Sequence, residues 1–149
     1  MNDRFTRGLM AGLIAWIPTG IFNYLAFHFK FSTLVYSDFA AVFMYGRKSL
    51  NLSEALFSLV ATAGFIATLG AIFAYLVKGI TSKYLWLKGL LYGEALWFII
   101  YAITVLFKVP QIEKIPFKTA LSNSIGSLIW GLLLAYSLSW LNQRIENRS

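Results

Sequence analysis

The sequence predicts an all-α integral membrane protein with four transmembrane helices, and three observations support this. Hydrophobic residues make up 58% of the 149-residue chain and charged residues only 13%, about half their share in soluble domains. Four apolar runs, at 8–29, 54–77, 85–107 and 119–141, each reach the ~20 residues needed to cross a hydrocarbon core. Basic residues flank these runs, as membrane anchors do. The chain, residues 1–149, is therefore expected to form one transmembrane domain.

Each apolar run is expected to be a helix, because lipid offers no hydrogen-bond partners to irregular backbone. The first run follows "MNDRFTR" and has the general character of a secretory signal. It is longer than the ~7 to 15 apolar residues of such a signal, and no A-x-A cleavage site follows it. We interpret it as a retained span.

A short helix is predicted between the first two spans, over about 38–47 in "YSDFAAVFMYGRKSLNLSE". Ser37 or Asp38 is the candidate N-cap and Gly46 the candidate end. At ~1.5 Å per residue this helix is too short to cross a bilayer. An interfacial helix is the favoured interpretation, and a lid over a cavity is the alternative.

The second span carries its own start signal. Asn51 or Ser53 is positioned to cap it, and Glu54 lies in its first turn, where the helix dipole favours a negative charge. These residues predict that the second helix begins directly after one of the two candidate caps, Asn51 or Ser53.

An internal repeat is visible in the odd-numbered spans. "RGLMAGLIAW" at 7–16 matches "KGLLYGEALW" at 88–97: a basic residue, Gly and Leu, then a second Gly and a Trp at four-residue intervals. Apolar helices are built from few residue types, so a chance match between the two segments is the alternative explanation. If the repeat is real, the first and third spans occupy equivalent places in the bundle.

The even-numbered spans extend this repeat. "GAIFAYLV" at 70–77 matches "GLLLAYSL" at 131–138, which gives a first repeat of 7–77, with the short helix inserted, and a second repeat of 88–138. Each unit holds an even number of spans. The two helical hairpins are therefore predicted to be parallel, related by a pseudo-twofold axis along the membrane normal.

Small residues at four-residue spacing predict where the helices pack. Residues four apart lie on one helix face, and small ones let helices approach closely in lipid. The stripes are expected to build the bundle or an oligomer interface, and their glycines are Gly8, Gly12, Gly20, Gly89, Gly93 and Gly131.

Orientation is encoded weakly. With four spans both termini lie on one side, together with seven of the thirteen basic residues and four of the five arginines. The positive-inside rule then predicts cytoplasmic termini in a multi-pass protein of the cell membrane.

Three segments, "DFAAVFMYGRK", "GAIFAYL" and "YAITVLFKVP", resemble a group of small four-span membrane proteins of Gram-positive bacteria, and more loosely the YagU-type inner-membrane proteins. The resemblance extends over nearly the whole chain. It implies a four-helix integral membrane protein and supplies no catalytic residues to carry over.

The residues available for catalysis are few. One His, no Cys and six acidic residues give no metal site of typical ligand density, and no Gly-rich phosphate loop is present. His28, near the end of the first span, is interpreted as an interfacial anchor. The basic residues flank spans and form no stripe of the kind that binds nucleic acid. We expect a non-enzymatic protein without a cofactor or nucleic-acid partner.

Glu94 is the exception in this inventory, because a carboxylate near the bilayer centre costs several kcal/mol. No basic residue lies at the same depth, so neutral partners are expected. Thr19 and Ser127 are candidates, as is the carbonyl of Ile14, which a helix kink at Pro18 would free.

The candidate polar site around Glu94 also includes Asn23, Tyr92, Tyr101 and Asn123. Three roles remain open for it: a structural hydrogen bond between helices, a proton or cation path, and contact with a ligand headgroup.

Two functions follow from these observations. The first is an interaction or structural bundle that binds membrane lipid or another membrane protein, or forms a homo-oligomer, with the short helix as its contact element. The second is a small transporter or channel subunit that uses Glu94 as a protonatable site.

Overall fold

The computed structural model describes residues 3–79, 83–112 and 114–146, which form helices and connecting loops without a strand. The five helices are α1 (Arg4–His28), α2 (Tyr36–Tyr45), α3 (Leu52–Gly79), α4 (Leu85–Leu106) and α5 (Phe117–Glu146). All but α2 are long and apolar enough to cross a membrane. The predicted fold class is confirmed: four candidate spans, with a short helix between the first and the second.

Side chains fix the starts of α1 and α3. The carboxylate of Asp3 accepts hydrogen bonds from the backbone N–H groups of Phe5, at 3.2 Å, and Thr6, at 3.1 Å. The bonds from Thr6 and Phe5 hold the pKa of Asp3 below its ordinary value. At α3 the amide oxygen of Asn51 accepts from the backbone N–H of Glu54 at 2.9 Å, so Asn51 is the cap.

Helix α2 begins earlier than predicted. Its N-cap is Val35, and Asp38, a predicted cap, lies in the third helical position. From there the Asp38 carboxylate accepts from the backbone N–H of Val35 at 3.0 Å. The predicted end is confirmed, since Gly46 stops the helix in the left-handed conformation (φ 69°) that glycine adopts without strain.

The predicted small residues bring backbones together within both hairpins. In α1, a Cβ on Gly8 would lie 2.5 Å from the Cα of Ala71, and one on Gly12 would lie 2.8 Å from the carbonyl oxygen of Ile66. In α4, Gly89 lies equally close to the backbone of Gly131. Gly93 meets the backbone of Ser127 in the same way, whereas Gly20 faces only Trp16 of its own helix.

The glycines matched in the proposed repeat therefore make corresponding contacts. Gly8 and Gly12 lie against Gly70, and Gly89 and Gly93 lie against Gly131. These contacts agree with a duplication, which remains a prediction.

The helices are arranged in the order α3, α1, α5, α4. Helix α1 packs extensively on both α3 and α5, and α4 packs on α5. A core that includes Ala11, Ala15, Phe73, Trp130 and Leu134 fills the centre. In the predicted twofold relation α1 corresponds to α4 and α3 to α5, so α3 and α4 should pack as closely as α1 and α5. In the structure α3 and α4 hardly touch. The resulting gap positions the candidate site.

Candidate ligand cavity

A cavity of about 500 Å³ occupies the gap between α3 and α4 and is lined by side chains from all five helices. The lining is mainly apolar, and none of the described residues in it is charged. The cavity therefore offers a largely apolar space without charged side chains between two candidate membrane-spanning helices.

Helix α2 forms the roof of this cavity, with Phe39, Phe43 and Met44 directed into the lining. The opposite side of α2 is covered by the loop between α4 and α5, where Ile112 is fully buried against Val42 and Phe39. The short helix thus lies between the cavity and this loop, and both the interfacial and the lid interpretations remain predictions.

Tyr92 of α4 lies next to two lining residues of the cavity, Leu69 and Trp130. Its hydroxyl donates to the carbonyl of Leu69 in α3 at 2.9 Å. Its ring packs beside those of Phe73 and Trp130, at centroid distances of 5.1 and 6.1 Å. This hydrogen bond links α3 to α4 below the cavity.

The threonines in the lining contribute little polarity. The hydroxyl of Thr19 donates to the carbonyl of Ala15 at 2.8 Å, and that of Thr62 donates to the carbonyl of Ser58 at 2.8 Å. Hydroxyls bound in this way to the preceding turn are satisfied within their own helix. Neither hydroxyl needs a ligand as its partner.

A buried polar network lies beside the cavity and joins four helices. The Asn23 side chain donates to the Asn123 amide oxygen at 3.0 Å and accepts from the backbone N–H of Tyr36 at 2.8 Å. The Asn123 side chain donates to the hydroxyl of Tyr101 at 2.7 Å. Asn23 and Asn123 are almost completely buried. Three residues of the predicted polar site, Asn23, Tyr101 and Asn123, are therefore brought together.

Sequence reasoning missed Tyr36, which completes this network. Its hydroxyl donates to the backbone carbonyl of Asn123 at 3.1 Å and lies against Gly126. Burial raises the pKa of Tyr36 well above its ordinary value, so the hydroxyl keeps its proton at physiological pH. A tyrosine at the first position of a short helix gave no signal of this role, because only the folded chain places it beside α5.

Glu94 lies outside both the cavity lining and the network. Its two carboxylate oxygens accept from the hydroxyl of Ser124 in α5, at 2.9 and 3.1 Å. The predicted partners Thr19 and Ser127 line the cavity instead. Helix α1 runs unbroken from Arg4 to His28, with Pro18 inside it. Glu94 thus has a neutral partner from a neighbouring helix, as expected, although a different residue supplies it.

An ion pair closes the turn between the roof helix and α3. The guanidinium of Arg47 donates to the two carboxylate oxygens of Glu54 at 2.7 and 3.0 Å. This contact raises the pKa of Arg47 above its ordinary value. Because Arg47 follows Gly46, the C-terminal cap of α2, the pair fixes one end of the roof.

The arrangement provides a binding cavity and shows no metal centre among the described residues, where no group of three His, Asp or Glu side chains converges. Comparison with family models, curated proteins and solved structures gives no match to this chain. The resemblance to small four-span membrane proteins therefore remains a prediction.

Proposed function

We propose that this chain is a non-enzymatic integral membrane protein that binds a membrane lipid in the cavity between α3 and α4. The observation behind the proposal is a neutral, largely apolar space of about 500 Å³ between two membrane-crossing helices that hardly touch. Sites for small molecules typically measure 300 to 1,000 Å³ and are lined mainly by apolar and aromatic side chains.

The apolar lining of the cavity favours an apolar occupant. The space opens between α3 and α4, and covering its apolar walls with an apolar molecule in place of water is favourable by ~25 cal/mol per Å² of apolar surface. Water is a poor filler because apolar cavities stay dry. Lipid chains are the apolar molecules at hand in a bilayer.

The membrane orientation completes the proposal. With both termini in the cytoplasm, the roof helix lies on the opposite side of the membrane. The cavity extends from that roof to Leu69 and Trp130. A lipid of the non-cytoplasmic leaflet would therefore enter between α3 and α4 with its chain under α2.

The transport alternative receives no support from this geometry. Glu94 is paired with Ser124 and does not line the cavity. A protonatable gate needs a position on the path of the transported species, and the described cavity has no ionisable carboxylate in its lining.

Tryptophan fluorescence tests the proposal, because Trp16, Trp97 and Trp130 line the cavity whereas Trp86 and Trp140 lie outside it. In a Trp86→Phe/Trp140→Phe background, reconstitution into phosphatidylcholine with brominated chains is expected to quench the remaining emission strongly. Unbrominated vesicles give the reference intensity.

Cavity filling provides the matched control. Ala61 lines the cavity on α3, and Ala95 lies on the exposed face of α4. Ala61→Phe is expected to relieve most of the quenching, and Ala95→Phe to leave it unchanged. Equal quenching in both variants would show that lipid chains do not occupy the cavity.

A further inference from the structure

Three basic side chains lie at the end of the bundle opposite the roof, where α1 and α4 begin and α3 and α5 end. Arg4 and Arg7 belong to the first turn of α1, and Lys88 is the fourth residue of α4. All three side chains are half-buried. The guanidinium of Arg4 donates to the carbonyl of Ala74 in α3 at 3.2 Å. That of Arg7 donates to the side-chain oxygen of Asn142 in α5 at 2.6 Å. The two arginines therefore reach both neighbours of α1.

These three cations lie on the helix faces that pack on the core. The two arginines come seven and four residues before Ala11, a core residue. Lys88 lies between Leu85 and Tyr92, three and four residues away, and both of these pack against the core. Residues at such spacings share one helix face. The basic side chains are therefore directed toward the axis of the bundle and cover the end of its core.

Two of the cations bury a nitrogen without an acceptor. The Nε of Arg7 and the Nζ of Lys88 are buried and make no hydrogen bond to any described residue. These residues also occupy matched positions in the proposed repeat, as the basic residues that open "RGLMAGLIAW" and "KGLLYGEALW". Each hairpin thus places an unmet cationic donor in the first turn of its first spanning helix. Buried charges are ordinarily paired, so the two donors indicate an anion from outside the chain.

The chain supplies little negative charge at this end. The side chains described there include one carboxylate, Asp3, which caps α1 through the N–H groups of Phe5 and Thr6. None of the three half-buried cations forms an ion pair with a described carboxylate. An excess of one sign of charge attracts a ligand of the opposite sign. The described basic residues at this end are Arg4, Arg7, Lys78, Lys83, Lys88 and Arg144.

The depth of the three cations matches a lipid headgroup. At 1.5 Å per residue, first-turn residues lie within about 5 Å of the start of their helix. Long basic side chains near the ends of membrane-crossing helices extend to the interface. Phospholipids carry their phosphates at this boundary, and basic residues placed there attract anionic lipids.

We infer that Arg4, Arg7 and Lys88, the basic cluster, bind the phosphate of an anionic phospholipid. The planar guanidinium fork matches two phosphate oxygens, whereas a lysine acts as a point charge. Because the Lys88 side chain is only half-buried, its flexible stem can turn the ammonium group toward such a phosphate. A zwitterionic lipid would bring its own ammonium group near the cluster, which the cations repel. The site lies away from the cavity under α2 and does not depend on what that cavity binds.

Native mass spectrometry in a neutral detergent tests the inference with two lipids of identical chains, dioleoylphosphatidylglycerol and dioleoylphosphatidylcholine. The native protein is expected to bind the anionic lipid roughly tenfold more tightly or better, since each basic residue near a membrane surface contributes about fivefold. Lys88→Met removes the charge and keeps most of the stem, so it should weaken binding of the anionic lipid about fivefold and leave the zwitterionic lipid unchanged. Arg7→Gln should act in the same direction. Lys83→Gln, at the same end but outside the cluster, is the matched control and should retain the preference.

Equal affinity of the native protein for the two lipids overturns the site. A loss in Lys83→Gln as large as in Lys88→Met also overturns it, because the general charge of this end would then explain the attraction. Inorganic phosphate in the same titration separates the two sources of phosphate. Failure to displace the lipid supports the headgroup, and displacement that requires Lys88 would assign the cluster to a soluble phosphate compound instead.

Ala61→Phe separates the basic cluster from the lipid cavity. This variant fills the cavity and should keep the preference for the anionic lipid, because Ala61 lines the space under the roof at the other end of the bundle. Loss of the preference in Ala61→Phe would place the anionic lipid in the cavity and overturn the cluster as its site. The comparison of the two lipids on native protein stands even if a variant fails to fold.

Discussion

The hydroxyl of Tyr36 occupies the space that a Cβ on Gly126 would take. From that position it donates to the carbonyl of Asn123 at 3.1 Å. Tyr36 is the first residue of α2, and Gly126 lies within α5. The roof of the cavity is therefore anchored to a membrane-crossing helix at a point where that helix has no side chain.

Gly126→Ala is expected to release this anchor. The added methyl group displaces the Tyr36 hydroxyl and breaks its bond to Asn123, and overpacking of this kind costs ~1 to 3 kcal/mol. Amide hydrogen exchange in α2 should rise roughly tenfold, a factor within that range. Gly64→Ala is the control, because a Cβ there meets nothing within 4 Å. Similar exchange in both variants would mean that Tyr36 does not hold the roof.

Gly131→Ala and Gly70→Ala are expected to loosen the two hairpins. A Cβ at Gly131 would clash with the backbone of Gly89, and one at Gly70 with the backbone of Gly8. Backbone atoms cannot relieve such a clash by changing rotamer. Each variant should lose ~1 to 3 kcal/mol of unfolding free energy, measured by titration with a denaturing detergent. Gly64→Ala should instead be neutral or stabilising, because alanine is the better helix former.

Asn123→Leu is expected to destabilise the bundle although it creates no cavity, because leucine is at least as large as asparagine. The change removes the acceptor of the Asn23 side-chain amide and the donor to the Tyr101 hydroxyl, and each unsatisfied buried group costs ~1 to 3 kcal/mol. Hydrogen bonds inside membranes average nearer 0.6 kcal/mol, so we expect a total loss of about 1 to 2 kcal/mol. Thr68→Leu is the control, because the exposed Thr68 hydroxyl bonds only to the carbonyl of Gly64 in its own helix. An unchanged free energy of unfolding in Asn123→Leu would show that the network does not stabilise the bundle.

Arg47→Glu is expected to free the other end of the roof. The substitution places two carboxylates together where Arg47 and Glu54 now form two hydrogen bonds. Exchange should rise at the end of α2 near Tyr45, and the double variant Arg47→Glu/Glu54→Arg should restore protection. Because the pair lies partly in solvent, 0.5 M salt should weaken the effect of the single change. Equal exchange in the single and double variants would contradict the role of the pair.

Sequence patterns predicted the elements that depend on local chemistry. Apolar runs of sufficient length located the four spans, and Asn51 and Gly46 marked a start and an end because caps act on the nearest turn. The glycines at four-residue spacing identified helix contacts, as at Gly8 and Gly93. These features need no knowledge of how the hairpins meet.

The cavity could not be predicted in this way, because it results from a contact that is not made. Neither the sequence of α3 nor that of α4 shows that these two helices are separated at the cavity. The same holds for Tyr36, whose partner lies 87 residues along the chain. The free-energy cost of placing a carboxylate in a membrane shows from the sequence that Glu94 needs a hydrogen-bond partner. It does not show which residue is that partner. Ser124 is the partner here, one residue after Asn123.

Glu94→Gln is expected to leave both stability and lipid binding almost unchanged. A glutamine oxygen still accepts from Ser124, and the side chain lies outside the cavity lining. Glu94→Leu places an apolar residue there, as Leu13 does at the matched position of the first hairpin, and loses the bond to Ser124. The loss of unfolding free energy should stay below about 1 kcal/mol, because interhelical hydrogen bonds in membranes are weak.

Liposome flux separates this structural role of Glu94 from transport. Native protein and Glu94→Gln are expected to give the same proton and cation flux between pH 5 and pH 8, since a residue that only joins α4 to α5 does not gate a path. A flux that is present in native protein and abolished in Glu94→Gln would instead place the carboxyl on a conduction path. The quenching assay, applied to the same two proteins, would then show whether that path passes through the lipid cavity or along the α4–α5 contact.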